Sequence, residues 1–199
     1  MISDVLSSMI PVVEAFEQLG VVYYVGGSVA ALAHGIYRAT ADVDIVADVR
    51  MEHVRPLVTL LQGRYYIDAD MIRDAIRHRS EFNMLHLQTM FKVDIFLPKS
   101  RLFDQQVLRR VQQQPLPDEE NTRLFYLESP EDVILTKLEW YNMGGGVSDR
   151  QWNDILGVLK VQGNALDFAY LRHWAKELGV TEQLARALDD AGLAPEAFT

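Results

Sequence analysis

Val21-Val22-Tyr23-Tyr24-Val25-Gly26-Gly27-Ser28 is the stretch whose reading decides the first half of the chain. Its β-branched and aromatic run reads as a buried strand, ended by the paired glycines. Ser28 to His34 is short and Ala-rich, with Gly35 behind it, the pattern of a helix closed by a C-terminal glycine. A strand, a glycine turn and a helix start therefore meet at residues 26–28. Backbone amides at such a junction, with no side chain in the way, hold a phosphate group; the same glycines also serve a plain tight turn. The Lys-Ser/Thr of a Walker A loop and the third glycine of the dinucleotide fingerprint are both missing, so neither motif applies.

Working outward, Asp42-Val43-Asp44 opens the next strand, which runs through Val43 to Ala47. Residues i and i+2 of a strand project from the same face, so both carboxylates point one way. Two adjacent acids repel unless a cation sits between them. Hard oxygen ligands of this kind suit magnesium or manganese; the plain alternative is an exposed pair at a strand end. Asp94 is a lone acid in Lys92-Val93-Asp94-Ile95-Phe96-Leu97. A carboxylate buried there needs a partner or a metal, whereas on an edge strand it faces water. With the two strands side by side, three acids converge near a glycine turn, the arrangement of a two-metal phosphoryl-transfer site.

The rest of the chain sets the fold class. Ser3 to Leu19 carries apolar residues at helical spacing, with Pro11 either starting or kinking the helix. Helices are expected over Glu52–Gln62 and Arg101–Val111, a short helix or loop over Met71–His78, and a short strand over Arg64–Asp68. Phe82–Leu87 and Lys92–Leu97 read as paired strands, and Leu124–Leu127 as a last strand. Gln112 to Asn121, with Pro115, Pro117 and three acids, reads as a linker. Ser129-Pro130-Glu131-Asp132 is a helix start: Ser as N-cap, Pro in the first position, acids in the first turn. Helical segments follow to about Met143, from Ser148 to Val161, from Leu166 to Leu178 and from Thr181, with Gly144-Gly145-Gly146 breaking the first from the second. The order gives an α+β fold, a mixed sheet flanked by helices over residues 1–127 and a helical C-terminal region over 128–199 packed on it.

Composition narrows the classes. With Cys 0, thiolate zinc sites, disulfide frameworks and cysteine nucleophiles are excluded. Asp+Glu 28 against Lys+Arg 19 leaves a formal charge of −9, which argues against a broad duplex-binding surface. No apolar run is long enough for a membrane span, and Met1-Ile2-Ser3-Asp4 lacks the basic start of a signal peptide, so a cytoplasmic protein is expected. His34 reads as a packing or capping residue. Trp140, Tyr141, Trp152 and Trp174 read mostly as core, although an aromatic at the mouth of the site could stack a base.

Taken together, Tyr24-Val25-Gly26-Gly27-Ser28, Arg38, Thr40, Asp42-Val43-Asp44 and Asp94 resemble the nucleotidyltransferase superfamily typified by DNA polymerase β, and more closely its AbiEii/AbiGii toxin-type members. Ser129-Pro130-Glu131-Asp132, Lys137, Asp149-Arg150 and Asp154-Ile155 are similar to elements that follow the catalytic core there. The resemblance covers roughly residues 20 to 165. It implies a magnesium- or manganese-dependent enzyme that moves a nucleoside monophosphate from a nucleoside triphosphate (NTP) to a hydroxyl on an RNA end or a protein side chain, with an antitoxin as partner. In that reading Asp42, Asp44 and Asp94 bind metal, Gly26, Gly27 and Ser28 hold the triphosphate, and Arg38 and Lys137 neutralise phosphate charge. Asp154 either contacts the nucleotide or orients Lys137. Arg38 could instead salt-bridge a neighbouring Asp, and Lys137 could be a solvated surface lysine. The contrasting class is a catalytically silent nucleotide-binding or protein-interaction module; an Asp-x-Asp glycosyltransferase leaves the glycine turn and Asp94 unexplained.

Overall fold

The computed structural model describes residues 2–117 and 123–193. Seven strands form one mixed sheet: β1 (Tyr23–Val25), β2 (Asp42–Ala47), β3 (Tyr65–Tyr66), β4 (Glu81–His86), β5 (Lys92–Phe96), β6 (Gln112–Pro115) and β7 (Leu124–Leu127), in the order β3-β4-β5-β2-β1-β7-β6. β2 runs parallel to β5 and antiparallel to β1, and β1 runs parallel to β7. The β2–β5 register is the one that matters for function: Val43 faces Val93, Asp44 faces Asp94 and Ile45 faces Ile95.

Strand alternation splits this sheet into two unlike faces. Val43, Ile45, Ala47, Val93, Ile95, Phe82 and Met84 point to one side and are buried in an apolar cluster. That side is covered by α1 (Ile2–Leu19), α3 (Val54–Leu61) and α4 (Ala69–His78). α1 offers Val5, Leu6, Met9, Val12, Val13 and Phe16 as one buried stripe. Pro11 neither starts nor ends it. Near the turn that Pro11 weakens, the Tyr65 hydroxyl donates to the Ser8 carbonyl at 2.7 Å, tying the helix to β3. Pro56 falls in the first turn of α3, where a missing N–H costs nothing.

The other face carries Asp42, Asp44 and Val46 from β2 and Lys92, Asp94 and Phe96 from β5. Opposite it lie α2 (Gly27–Ala33), α5 (Leu102–Arg110), α6 (Pro130–Met143) and α7 (Asp149–Gln162), backed by α8 (Phe168–Glu177) and α9 (Thr181–Asp190). Their apolar residues, among them Leu138, Ile155, Val158 and Leu171, form a second cluster that also takes in Tyr24, Ala30 and Ala31. α6 begins as its sequence dictates: Ser129 Oγ accepts from the Asp132 N–H at 3.2 Å, with Pro130 next in line. No helix among the described residues is long and apolar enough to cross a membrane.

One expected segment needs correction. Gln112–Pro115 is not linker but the edge strand β6, paired antiparallel with β7, and Leu116 beside it is buried. Prolines at a strand end on a sheet edge withhold no ladder donor, so they did not prevent pairing. Residues 118–121 of the expected linker lie outside the described residues.

Candidate functional site

The polar sheet face and the helices α5, α6 and α7 enclose a cleft of about 730 Å³. Gly26, Gly27, Ser28, Arg38, Asp42, Asp44, Asp94 and Lys137 all line it. Their convergence follows from local rules: alternation sends Asp42, Asp44 and Asp94 to one face, and the parallel register sets Asp44 opposite Asp94.

The three carboxylates are not equivalent. Lys92 Nζ sits 2.8 Å from Asp94 Oδ2, from the same strand face two residues earlier. Thr40 Oγ1 donates to Asp42 Oδ1, and Arg150 Nη2 stands 3.5 Å from the same oxygen. Asp44 has no such partner among the described residues. Burial, then the charges of Asp42 and Asp94, push its carboxyl up to about 6, against weaker opposite pulls from Lys137 and Lys92. With Lys92 drawing Asp94 aside and Thr40 holding Asp42, no trio of acids among the described residues stands ready closed around a metal ion. The donor set nonetheless fits a hard divalent cation. It is all-oxygen, and Asp44 carries the charge imbalance that such a cation relieves.

The glycine turn is built around two carboxyl groups. Gly26 N–H donates to the Asp44 carbonyl at 3.0 Å. Gly27 has φ +57, and a Cβ there would stand 1.9 Å from Asp44 Oδ2. Gly27 is therefore needed twice, for its left-handed backbone and for the close approach of the carboxylate. A Cβ on Gly26 would meet Glu128 Oε2 at 3.0 Å. The turn thus passes between Asp44 on one side and Glu128 on the other. Gly26 caps α2 with no side-chain hydrogen bond, which leaves first-turn N–H groups without a helical acceptor.

Asp154 organises the cationic wall. Arg38 grips it with two bonds, Nε to Oδ1 at 2.6 Å and Nη2 to Oδ2 at 2.8 Å, and also reaches Ser28 Oγ. Lys137 Nζ donates to the same Oδ2 at 2.8 Å and to Gln151 Oε1 at 3.4 Å. Burial alone would push the Asp154 carboxyl up, but the Arg38 bonds and the Lys137 charge hold it below its usual range. Asp154, 1% exposed, is not among the cleft-lining residues and has both oxygens bonded to Arg38 and Lys137, the geometry of the reading in which it orients Lys137. Lys137 is no solvated surface lysine: it is 5% exposed and lines the cleft, its ammonium bonded to Asp154 and Gln151.

Three cleft residues escaped the sequence reading. Trp140, read with the other aromatics as mostly core and not singled out for the mouth of the site, is 47% exposed and stands edge-on to Phe96 at 5.8 Å, making an aromatic wall beyond Asp94. It sits on α6 between Glu139 and Tyr141, and helical spacing cannot separate a core face from a cleft face. Lys92 opens β5, and a lysine at a strand start reads as an ordinary solvated end residue. Glu128 follows the apolar Leu124–Leu127 run directly before a helix cap, where an acid signals only a strand end. His34, by contrast, packs as expected, with Nε2 at 2.7 Å from the Glu128 carbonyl.

No protein-family model and no curated protein matches the sequence. Among solved structures, the chain is similar to the antibiotic-resistance factor ANT(2'')-Ia in solution, with 14% identity over 96% of each chain and a TM-score of 0.54. It is similar to a crystal structure of ANT(2'')-Ia in complex with adenylyl-2''-tobramycin, at 11% identity over 87% of this chain and 95% of that one, TM-score 0.55. An antigenic nucleotidyltransferase-like protein from Paracoccidioides brasiliensis aligns at 17% identity over 92% and 90%, TM-score 0.55. At these identities the likeness is one of fold: the chain has an α+β, nucleotidyltransferase-like fold.

Proposed function

We propose that the cleft transfers a nucleoside monophosphate from an NTP to an acceptor hydroxyl and releases pyrophosphate. The observation that carries this reading is the register match of Asp44 with Asp94, facing a cation pair that a shared buried carboxylate holds in place. In this reading residues 1–127 are the catalytic core and residues 128–199 the helical region that closes the cleft.

The acceptor oxygen attacks the α-phosphorus, and the bond to the bridging oxygen of pyrophosphate breaks, its electron pair leaving with pyrophosphate. Asp42, Asp44 and Asp94 would hold a magnesium or manganese ion, which supplies charge neutralisation at the transferred group. Asp94 takes the proton of the attacking hydroxyl, for which Lys92 must give way. Arg38 and Lys137 offset phosphate charge and are pre-oriented by Asp154, so little reorganisation is needed as charge builds. Ser28, already bonded to Arg38, and the Gly26–Gly27 backbone hold the triphosphate tail.

A small or transiently docked acceptor suits a chain of formal charge −9 better than a long RNA. The adenylyl-2''-tobramycin held by a protein of similar fold supports a small hydroxylated acceptor. The toxin-type resemblance brings an RNA end or a protein side chain, and an antitoxin partner, into the same test. Incubation with each α-labelled NTP and magnesium, supplied in turn with tobramycin, total RNA and cell protein, is expected to label one acceptor class and release pyrophosphate. Tight NTP binding with no transfer to any of them would leave the silent nucleotide-binding module.

A further inference from the structure

Glu128 lines the cleft, yet the chemistry proposed above gives it no task. It is 2% exposed and sits where β1, β7, α2 and α6 meet. Its N–H donates to the Val25 carbonyl at 3.0 Å, and its own carbonyl meets His34 Nε2. Its carboxyl is fixed at one end only: Oε1 accepts from Thr136 Oγ1 at 2.6 Å. Oε2 lies against Gly26, on the far side of the turn from Asp44.

No cation among the described residues pairs with this carboxyl. Lys137, the next residue after Thr136 on α6, spends its ammonium on Asp154 and Gln151. A buried carboxylate without a cation gives up its charge by keeping its proton. The groups facing it agree. Burial leads, and the charges of Asp132 from α6 and Asp44 from β2 add to it, against the Thr136 bond and Lys137, so that the group is pushed up to about 8. Tyr24 of β1, which also faces it, stays protonated far above its ordinary range, chiefly through burial. The His34 ring is pushed down by burial and brings no positive charge at neutral pH.

We infer that Glu128 is held as a neutral carboxylic acid and that its Oε2 hydroxyl donates a hydrogen bond to an anionic phosphate group in the cleft. Because Oε1 already accepts from Thr136, the proton belongs on Oε2, the oxygen beside the Gly26 turn, and Gly26 and Glu128 both line the cleft. An ionised carboxylate there would repel a triphosphate, whereas a neutral acid in an apolar site serves as a donor. Glu128 is thus a binding residue whose use ends at alkaline pH. The inference rests on the reading of the cleft as an NTP site.

Two measurements test it separately. In the protein without nucleotide, ¹³C-glutamate NMR with Glu128→Gln as the assignment control should show one carboxyl that is protonated at pH 7 and titrates near 8. Calorimetric titration with ATP and magnesium should then show wild-type affinity falling about fivefold from pH 8 to pH 9, as the protonated fraction drops. Glu128→Gln, whose amide accepts from Thr136 and donates from the other end, should match wild type at pH 7 and lose no affinity at pH 9. Glu128→Leu should bind ATP about 10- to 100-fold more weakly at pH 7, the worth of a hydrogen bond to a charged group. A Glu128 carboxyl already ionised at pH 7, or a Gln variant as weak as the Leu variant, overturns the inference. Absence of any ATP binding by wild type would instead overturn the NTP reading, while the NMR result still stands on its own.

Discussion

Asp44 and Asp154 serve the same cleft from opposite walls, and the fold treats them in opposite ways. Asp154 is sealed behind the wall and receives three bonds from two cations. Asp44 is recessed in the cleft beside two other acids and receives none among the described residues; its carboxyl is pushed up to about 6, chiefly by burial and then by Asp42 and Asp94. One carboxylate is complete within the chain. The other is charged against its surroundings at neutral pH, at a cost in folding free energy that a proton or a bound cation would offset. The difference marks Asp154 as support for Arg38 and Lys137, and Asp44 as the acid on which the proposed cation would act most.

Substitution of each acid by its amide should therefore move stability in opposite directions. Asp44→Asn is expected to lower turnover by about 10³-fold, through loss of a charged ligand at the transferred group. In chelator the same variant should be more stable than wild type by about 1–2 kcal/mol, because a pKa unit is about 1.4 kcal/mol and a partly open group realises less than its full shift. Denaturant midpoints with and without magnesium measure both. Loss of stability on Asp44→Asn in chelator would break the comparison.

Asp154→Asn should cost about 3–5 kcal/mol, since it strands a buried lysine and an arginine beside a neutral amide. Denaturation in urea checks it; a change below ~1 kcal/mol would mean that Arg38 and Lys137 are held by something other than Asp154.

Lys137→Ala sharpens the contrast further. It removes a donor to the transferred group, so turnover should fall about 10²-fold. Asp154 keeps its two Arg38 bonds, so the structural loss should be smaller than for Asp154→Asn. Lys137→Arg should not restore the rate, because a planar fork cannot replace a point charge between Asp154 and Gln151. Steady-state kinetics beside thermal melts separate rate from fold.

The smallest effect is in pH. Folding lifts the Asp44 carboxyl from the ordinary range to about 6, so the native state holds that proton more firmly than the unfolded chain does. Its contribution to stability is full below about pH 4 and lost as pH rises through 6. Manganese affinity should run the other way, weakening about tenfold per unit below pH 6 as the proton competes for the site. Electron paramagnetic resonance titration of free manganese reads this directly, and Asp44→Asn should flatten it.

Much of this was open to inspection in the chain itself. Period-two alternation in 42–46 and 92–96 announced two half-polar strands, the Ser129-Pro130 cap announced α6, and the glycine pair announced a turn. These are local signals: propensity, spacing and capping act over a few residues, so the sequence exposes them directly. The same locality explains the misreadings. Pro115 and Pro117 disguised an edge strand whose pairing partner β7 supplies the hydrogen bonds. Trp140 looked like core because helical spacing does not say what the helix packs against.

What the sequence by itself determined is the set of chemical groups and the faces they would share on each element. What the tertiary structure decided is which of them meet. Arg38 and Asp154 are 116 positions apart, and Glu128 reaches the Gly26 turn only because β7 pairs with β1. The β2–β5 register sets Asp44 opposite Asp94; a slip of one residue would have turned one of the two acids into the apolar core. Burial and charge pairing are properties of surroundings, and surroundings exist only after distant segments have packed. For that reason the chain could name Asp44 and Asp154 as candidates, but only the fold could give one of them two cations and set the other beside two acids.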